Sequence, residues 1–267
     1  MKQMTPITNL DELKSIELEI MKKIHDFCEE KGINYTLAAG TLLGAIRHNG
    51  FIPWDDDIDI YVNRKDYWRF EKEFPEWGES RGLYIAGPHS NEHYFPRDML
   101  KVCDDRTALI ETSYKRTDPI GVFVDVWPLD ELPELSFKTS LWRKQVRLYR
   151  NFNLAADISK SSVHGWKEKL AVLLFGYTDT HKWTNKMENT AIRYLGKGTG
   201  RLISFQGFDN TYSEKDFEER ILWPFEDTKF YVPKGFDGVL RDRYGDYMTL
   251  PPKEQQVPHH VQNVWYK

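Results

Sequence analysis

The sequence is poor in cysteine, with two residues, Cys28 and Cys103, among 267. Two thiols cannot build a disulfide framework or a four-cysteine zinc site, so both are expected to be free and buried in a reducing compartment. No run reaches the roughly 18 apolar residues that a membrane-crossing helix needs. Between Met1 and Leu18 charged and apolar residues alternate, without the continuous apolar stretch of a secretory signal. Positive charge is not in excess either: 37 Lys and Arg stand against 41 Asp and Glu, a net charge of −4. A surface built to coat nucleic acid is thereby excluded. These absences point to the cytoplasm. What is present is a hydrophobic share of 40%, enough for a sizeable core, and an aromatic share of 14% with nine Trp. Tryptophan serves cores, sugar and choline pockets and membrane interfaces alike.

Asn9 with Glu12 reads as a helix start, and Leu13, Ile16, Ile20, Ile24 and Phe27 recur at helical spacing up to a stop at Gly32. Ile33 to Ala39 reads as a strand, Gly40 breaks it, and Thr41 to His48 as a short helix closed by Asn49-Gly50. Asp56 to Val62 alternates as a strand, after which Asn63 caps a helix through Phe74. Further strands are expected at Leu83 to Ala86, Met99 to Cys103, Thr107 to Ile110 and Gly121 to Trp127. Helices are expected at Ser136–Asn153, Val163–Phe175 and Thr180–Tyr194. A strand at Thr228 to Val232 and a helix at Phe236 to Tyr244 follow. The order is that of an α+β fold, a mixed β-sheet with flanking helices and a helical second half. One body is expected over 1–267: a core in 1–135, a mainly helical region in 136–200, and a C-terminal part in 201–267 packing back on the core.

The chemistry concentrates around Asp55-Asp56-Asp57-Ile58-Asp59-Ile60. On a strand Asp55, Asp57 and Asp59 share one face, and Ile58 and Ile60 anchor the other. Three carboxylates on one face repel unless a cation sits between them, and an all-oxygen set suits Mg²⁺ or Mn²⁺. Asp56 faces away, toward hydrogen-bond donors. A solvated acidic loop is the bland reading of such a run. An EF-hand fails because Ile60 stands where the loop needs glycine. Asp57-Ile58-Asp59 alone also fits nucleotide-sugar glycosyltransferases. Gly40-Thr41, between a strand and a helix, can hold a phosphate on free N–H groups. A Gly-Thr turn before a helix, then Asp-x-Asp on the next strand, is the layout of a nucleotidyltransferase fold, whose third carboxylate comes from a later strand. Asp125, in the apolar run Val122 to Trp127, is the candidate, against the alternative of a buried acid satisfied by backbone or Arg.

The stretch from Ala39-Gly40-Thr41-Leu42-Leu43-Gly44 through Trp54-Asp55-Asp56-Asp57-Ile58-Asp59 closely resembles the signature of the LicD-type phosphocholine transferases, a family that includes the fukutin-related proteins. The likeness continues in Val124 to Asp130, Trp223 to Asp227 and Arg243 to Met248. It implies transfer of a phospho-alcohol from a CDP-activated donor to a sugar hydroxyl. In bacterial members this is phosphocholine from CDP-choline to teichoic acid or lipopolysaccharide, so a glycan or lipid-linked glycan is the implied acceptor. It also implies that Asp57, Asp59 and Asp125 bind metal and that Gly40-Thr41 holds phosphate, with Asp55 a further acid of the motif. On the resemblance alone, Arg243, Tyr244, Asp246, Tyr247 and Lys253 contact nucleotide or acceptor. The alternatives are a ribitol- or glycerol-phosphate transferase, a CTP-using nucleotidyltransferase, and a non-catalytic cation- or nucleotide-binding module.

Other residues carry two readings each. Arg47 either places its guanidinium on a phosphate or serves as a cation at a helix C-terminus. His48 is a capping or packing residue or, with Asp55, a free base. Lys101 faces the cleft of the acids or stands on a solvated face. Trp54 and Trp127 are walls of a choline cage or core residues. His259 and His260 read as tail. Arg143, Arg147 and Arg150 form one stripe of the Ser136–Asn153 helix, which either rests on anionic lipid at the inner face of the membrane or is solvated.

Overall fold

The computed structural model describes residues 5–110, 113–115, 119–132, 137–206, 211–257 and 264–267. His259 and His260 lie outside them. The order is β1 (Thr5–Pro6), α1 (Leu10–Lys31), β2 (Tyr35–Leu37), α2 (Ala39–His48), β3 (Asp59–Asn63), α3 (Arg64–Glu79), β4 (Leu83–Ala86), β5 (Leu100–Asp104), β6 (Thr107–Leu109) and β7 (Phe123–Glu131). Then come α4 (Phe137–Asp157), α5 (Trp166–Phe175), α6 (Thr180–Ala191), β8 (Arg201–Ile203), β9 (Thr211–Ser213), β10 (Arg220–Phe225), β11 (Thr228–Pro233), α7 (Phe236–Tyr244) and β12 (Val264–Tyr266).

Local signals explain the first elements. The Asn9 side chain accepts from the Asp11 N–H at 2.9 Å, and Gly32 ends α1 at φ 62°, the left-handed conformation that glycine adopts without steric cost. Asn63 accepts from the Asp66 N–H and starts α3, which runs past the expected stop at Phe74 and through Pro75 to Glu79. Proline lacks the N–H for one helical bond, and here the loss falls near the end of an otherwise well-buried helix.

The main sheet has the order β2-β3-β7-β5-β4. β3 and β7 run parallel, and the other pairs on that path are antiparallel. β8 pairs with the far end of β7, and β9 with β8. A small sheet, β1-β12-β6, ties the first strand to the last. The expected strand at Asp56 to Val62 begins only at Asp59, so the first acids sit on an extended loop rather than on a pleated face. β10 was not expected, and it forms a hairpin with β11 in full register from Arg220↔Pro233 to Phe225↔Thr228. The main hydrophobic core runs from Ile7 to Val264 and takes in Phe225, Phe230, Val232, Val239 and Leu240. A second cluster under α4 and α6 holds Leu132, Trp142, Val146, Met187 and Phe205. Cys28 and Cys103 are buried and free, as expected. Among the described residues no helix is long and apolar enough to cross a membrane.

Sheet and helical region are joined by a buried ion pair. The Arg64 guanidinium, at the start of α3, grips both oxygens of Asp130 at 2.7 and 2.6 Å and reaches Glu188 of α6 at 3.4 Å. A bidentate pair of this kind satisfies two buried charges, and removing one partner strands the other. Asp130→Ala is therefore expected to lower stability by about 3–5 kcal/mol, read from urea unfolding midpoints. A loss below about 1 kcal/mol would show that the clamp is not needed.

Candidate active site

The site begins where β2 enters α2. Ala38 is extended, Ala39 takes a positive φ of 45°, and the helix starts at once. A non-glycine residue in that conformation is strained, and such strain is held only where surrounding contacts impose it. A Cβ on Gly40 would stand 2.6 Å from Asp55 Oδ2, so glycine is what lets the acid lie against the first turn of α2. The Thr41 hydroxyl accepts the Asp59 N–H at 2.8 Å and ties the helix start to the first residue of β3.

Register supplies the next step. Asp59 lies directly opposite Asp125 on parallel β7, and Lys101 of β5 lies opposite Asp125 on its other side. Paired residues share a sheet face. A row of three ionisable side chains thus crosses the middle of the sheet, all of them buried. Lys101 Nζ donates to Asp125 Oδ1 at 3.0 Å and sits 3.2 Å from the Phe123 ring centroid. The solvated reading of Lys101 is corrected: it is buried and lines the cleft of the acids. Asp59 is held from both ends, since Trp127 Nε1 donates to Oδ1 at 2.9 Å and Gln206 Nε2 to Oδ2 at 2.5 Å. Gln206 in turn accepts from Tyr61 and from Arg243 at 2.9 and 3.3 Å.

Asp57 and Asp125 open onto a cavity of about 230 Å³, walled also by Glu17, Asp56, Phe95, Phe123 and Trp127. Arg150 of α4 reaches it as well. Asp56 therefore faces the cavity instead of turning away, because the loop before Asp59 does not follow strand alternation. Burial, with the charges of Asp57 and Asp56 next, pushes Asp55 up to about 7. Burial and then Asp57 and Asp125 raise Asp59 well above the usual carboxylate range, and burial followed by Asp57 does the same to Glu17. Glu17 Oε2 is buried with no hydrogen-bond partner among the described residues. An orphaned oxygen beside mutually repelling carboxylates fits a hard cation in donor chemistry. Among the described residues no three such side chains yet stand close enough to enclose one.

The remaining sequence candidates separate. Arg47 donates from Nε to His48 Nε2 at 2.9 Å and from Nη1 to the Tyr247 carbonyl at 2.9 Å, so it tethers the end of α2 to the chain after α7. His48 packs edge-on to half-buried Trp54, and burial, then Arg47, lowers its pKa. Neither of the two, nor Trp54, lines the cavity. Trp127 is a buried wall that also donates to Asp59, a combination neither sequence reading contained. Arg243 reaches the acids through Gln206, with Tyr244 beside it. Tyr247 is buried with its hydroxyl on Asp237, Asp246 accepts from Thr249 in an exposed turn, and Lys253 is exposed. Arg143, Arg147 and Arg150 are half-buried, and Arg150 lines the cavity. Sequence reasoning missed Glu17 and Gln206. Glu17 left a signal, an acid four residues after Leu13 on the apolar stripe of α1, whereas Gln206 left none.

Residues 32–155 match the family described as LicD/FKTN/FKRP, nucleotidyltransferase domain. Over 272 aligned residues, 99% of this chain and 99% of the other, the sequence is 31% identical to the lipopolysaccharide cholinephosphotransferase LicD of Haemophilus influenzae. An uncharacterized protein of Rickettsia typhi is 39% identical over 123 residues, 45% of this chain and 37% of that one. A stretch of 38 residues, 14% of this chain and 8% of the other, is 47% identical to the human ribitol 5-phosphate transferase FKRP.

Thr41→Val should strand the buried Asp59 N–H and cost about 1–3 kcal/mol in urea unfolding, whereas Thr41→Ser, which keeps the oxygen, should cost less than half of that. Equal losses for both would show that the methyl group, not the hydroxyl, matters.

Proposed function

Because the chain belongs to the LicD/FKTN/FKRP family, we propose that it transfers phosphocholine from CDP-choline to a sugar hydroxyl of a cell-surface glycan, lipopolysaccharide or teichoic acid, and releases CMP. The observation that carries the reading is the pairing of Asp59 with Asp125 across parallel strands, with Asp125 opening beside Asp57 onto an acid-lined cavity. The full-length likeness to a cholinephosphotransferase supports this choice of reaction.

In this reading Asp57, Asp59 and Asp125 would hold one or two Mg²⁺ (or Mn²⁺) ions, which would supply positive charge against that of the donor diphosphate and of the departing CMP. Trp127 and Gln206 fix the Asp59 carboxylate, so its direction is set before substrate arrives. Lys101 holds Asp125 and brings positive charge to the same wall of the cavity. The first turn of α2, at Gly40 and Thr41, offers backbone N–H groups to a phosphate. The acceptor oxygen bonds to the phosphorus that carries choline, the bond to the CMP oxygen breaks, and CMP leaves with that electron pair. The hydroxyl proton passes to Asp55, whose pKa is raised to about 7 by burial and the neighbouring acids, whereas the other candidate, His48, already accepts a hydrogen bond from Arg47.

A ribitol-phosphate donor is the second reading, favoured by the match to a ribitol 5-phosphate transferase. Incubating the protein with Mg²⁺, CDP-choline and a glycan acceptor should release CMP only when the acceptor is present. Asp57→Ala and Asp59→Ala should each reduce the rate at least about a hundredfold, and EDTA should abolish it until Mg²⁺ is restored. Release from CDP-ribitol but not CDP-choline would select the second reading, and pyrophosphate from CTP would contradict both. Trp127→Phe and Gln206→Leu, which leave the ligands in place, should slow transfer about 10–100-fold.

A further inference from the structure

α5 is apolar yet has no buried residue. Trp166, Leu170, Leu173, Leu174 and Tyr177 follow one another at helical spacing, so four side chains of the helix and one just beyond it share a face. They are 72%, 47%, 74%, 61% and 91% exposed. The opposite side packs inward, where Phe175 stacks on Phe152 of α4 at 3.9 Å and meets Trp183 of α6 edge-on. A helix apolar on all sides is ordinarily enclosed, and five large side chains on one open face are a docking surface rather than scattered exposure.

Charge identifies what docks there. Residues 137–200 carry twelve Lys and Arg against four Asp and Glu, a net +8 in a chain whose total is −4, which leaves −12 on the rest. Lys138, Lys144, Lys167, Lys169 and Lys182 are exposed in this region. Lys167 and Lys169 lie on α5 itself, and Lys167 Nζ is 5.7 Å from the Trp166 ring centroid. Tryptophan, leucine and tyrosine flanked by lysines are the composition of a helix that lies in a lipid interface: the rings and aliphatic groups enter it and the ammonium groups meet anionic headgroups.

We propose that the exposed face of α5 docks the protein on an anionic lipid bilayer. This face belongs to α5, not to the arginine stripe of α4. α4 connects the two functions, since α5 packs on it and its Arg150 and Leu154 line the acidic cavity. Docking by α5 thus holds the helix that lines the cavity on the side of the bilayer. The contact itself stands apart from the choice of donor and acceptor.

Flotation of the full-length protein with vesicles of phosphatidylcholine, or of phosphatidylcholine with phosphatidylglycerol, tests it. Binding is expected to the anionic vesicles, to weaken as salt rises from 50 to 500 mM, and to fall at least about tenfold for the double variant Leu173→Glu, Leu174→Glu. The same variant should keep its thermal unfolding midpoint and its CMP release with a soluble acceptor, because neither side chain is buried. Lys167→Glu with Lys169→Glu should weaken binding to anionic vesicles only. Absence of binding to anionic vesicles, or binding indifferent to the double leucine variant, would overturn the proposal. So would a chain dimer that the leucine variant dissolves while vesicles are ignored, since the face would then belong to a second copy.

Discussion

The fold gathers six carboxylates, Glu17, Asp55, Asp56, Asp57, Asp59 and Asp125, at one end of its central sheet, and most of them are buried. Like charges about 5 Å apart at an effective dielectric near 20 oppose one another by on the order of 3 kcal/mol, and burial adds to that. The strain shows in Asp55, Asp59 and Glu17, each pushed upward by burial first and neighbouring acids second. The protein offsets part of it with Lys101 on Asp125 and with neutral donors, Trp127 and Gln206, on Asp59. Donors that are neutral orient a carboxylate without cancelling its charge.

Much of the remaining structure holds the loop that carries these acids. Lys14 of α1 donates to the Ile52 and Pro53 carbonyls at 3.1 and 2.9 Å, and Glu226, in the β10–β11 turn, accepts the Phe51 N–H at 2.9 Å. A Cβ on Gly50 would collide with the Glu226 carboxylate, and one on Gly44 would come within 2.4 Å of the Gly50 carbonyl. Trp223 donates to the Ala45 carbonyl at 3.1 Å. The C-terminal segment therefore acts as a brace for α2 and the acidic loop. This explains physically why a pattern spread from Ala39 to Met248 behaves as one signature: its distant parts touch.

Local signals made parts of this legible in advance. The caps at Asn9, Gly32 and Asn63 and the apolar stripe of α1 depend on neighbours in sequence, and they read correctly. The mixed sheet and the place of Asp125 could be anticipated because an acid inside an apolar run needs a reason. The orientation of Asp56 was misread, since alternation assumes a strand and the chain pairs only from Asp59 onward. The burial of Lys101 is not legible locally, because Phe123 and Asp125, which pack on it and bond it, lie more than twenty residues away. Gln206 and the β10 strand are determined by partners more than a hundred residues away or by a hairpin register that no short pattern announces.

The central claim is that the acidic cluster is built for a divalent cation. Titrating Mn²⁺ into the full-length protein, with free Mn²⁺ followed by electron paramagnetic resonance, tests it directly. Saturable uptake, displaced by Mg²⁺ and lost in Asp59→Asn, is the result predicted. A protein that takes up no Mn²⁺, or that takes it up equally well in the variant, would contradict the account.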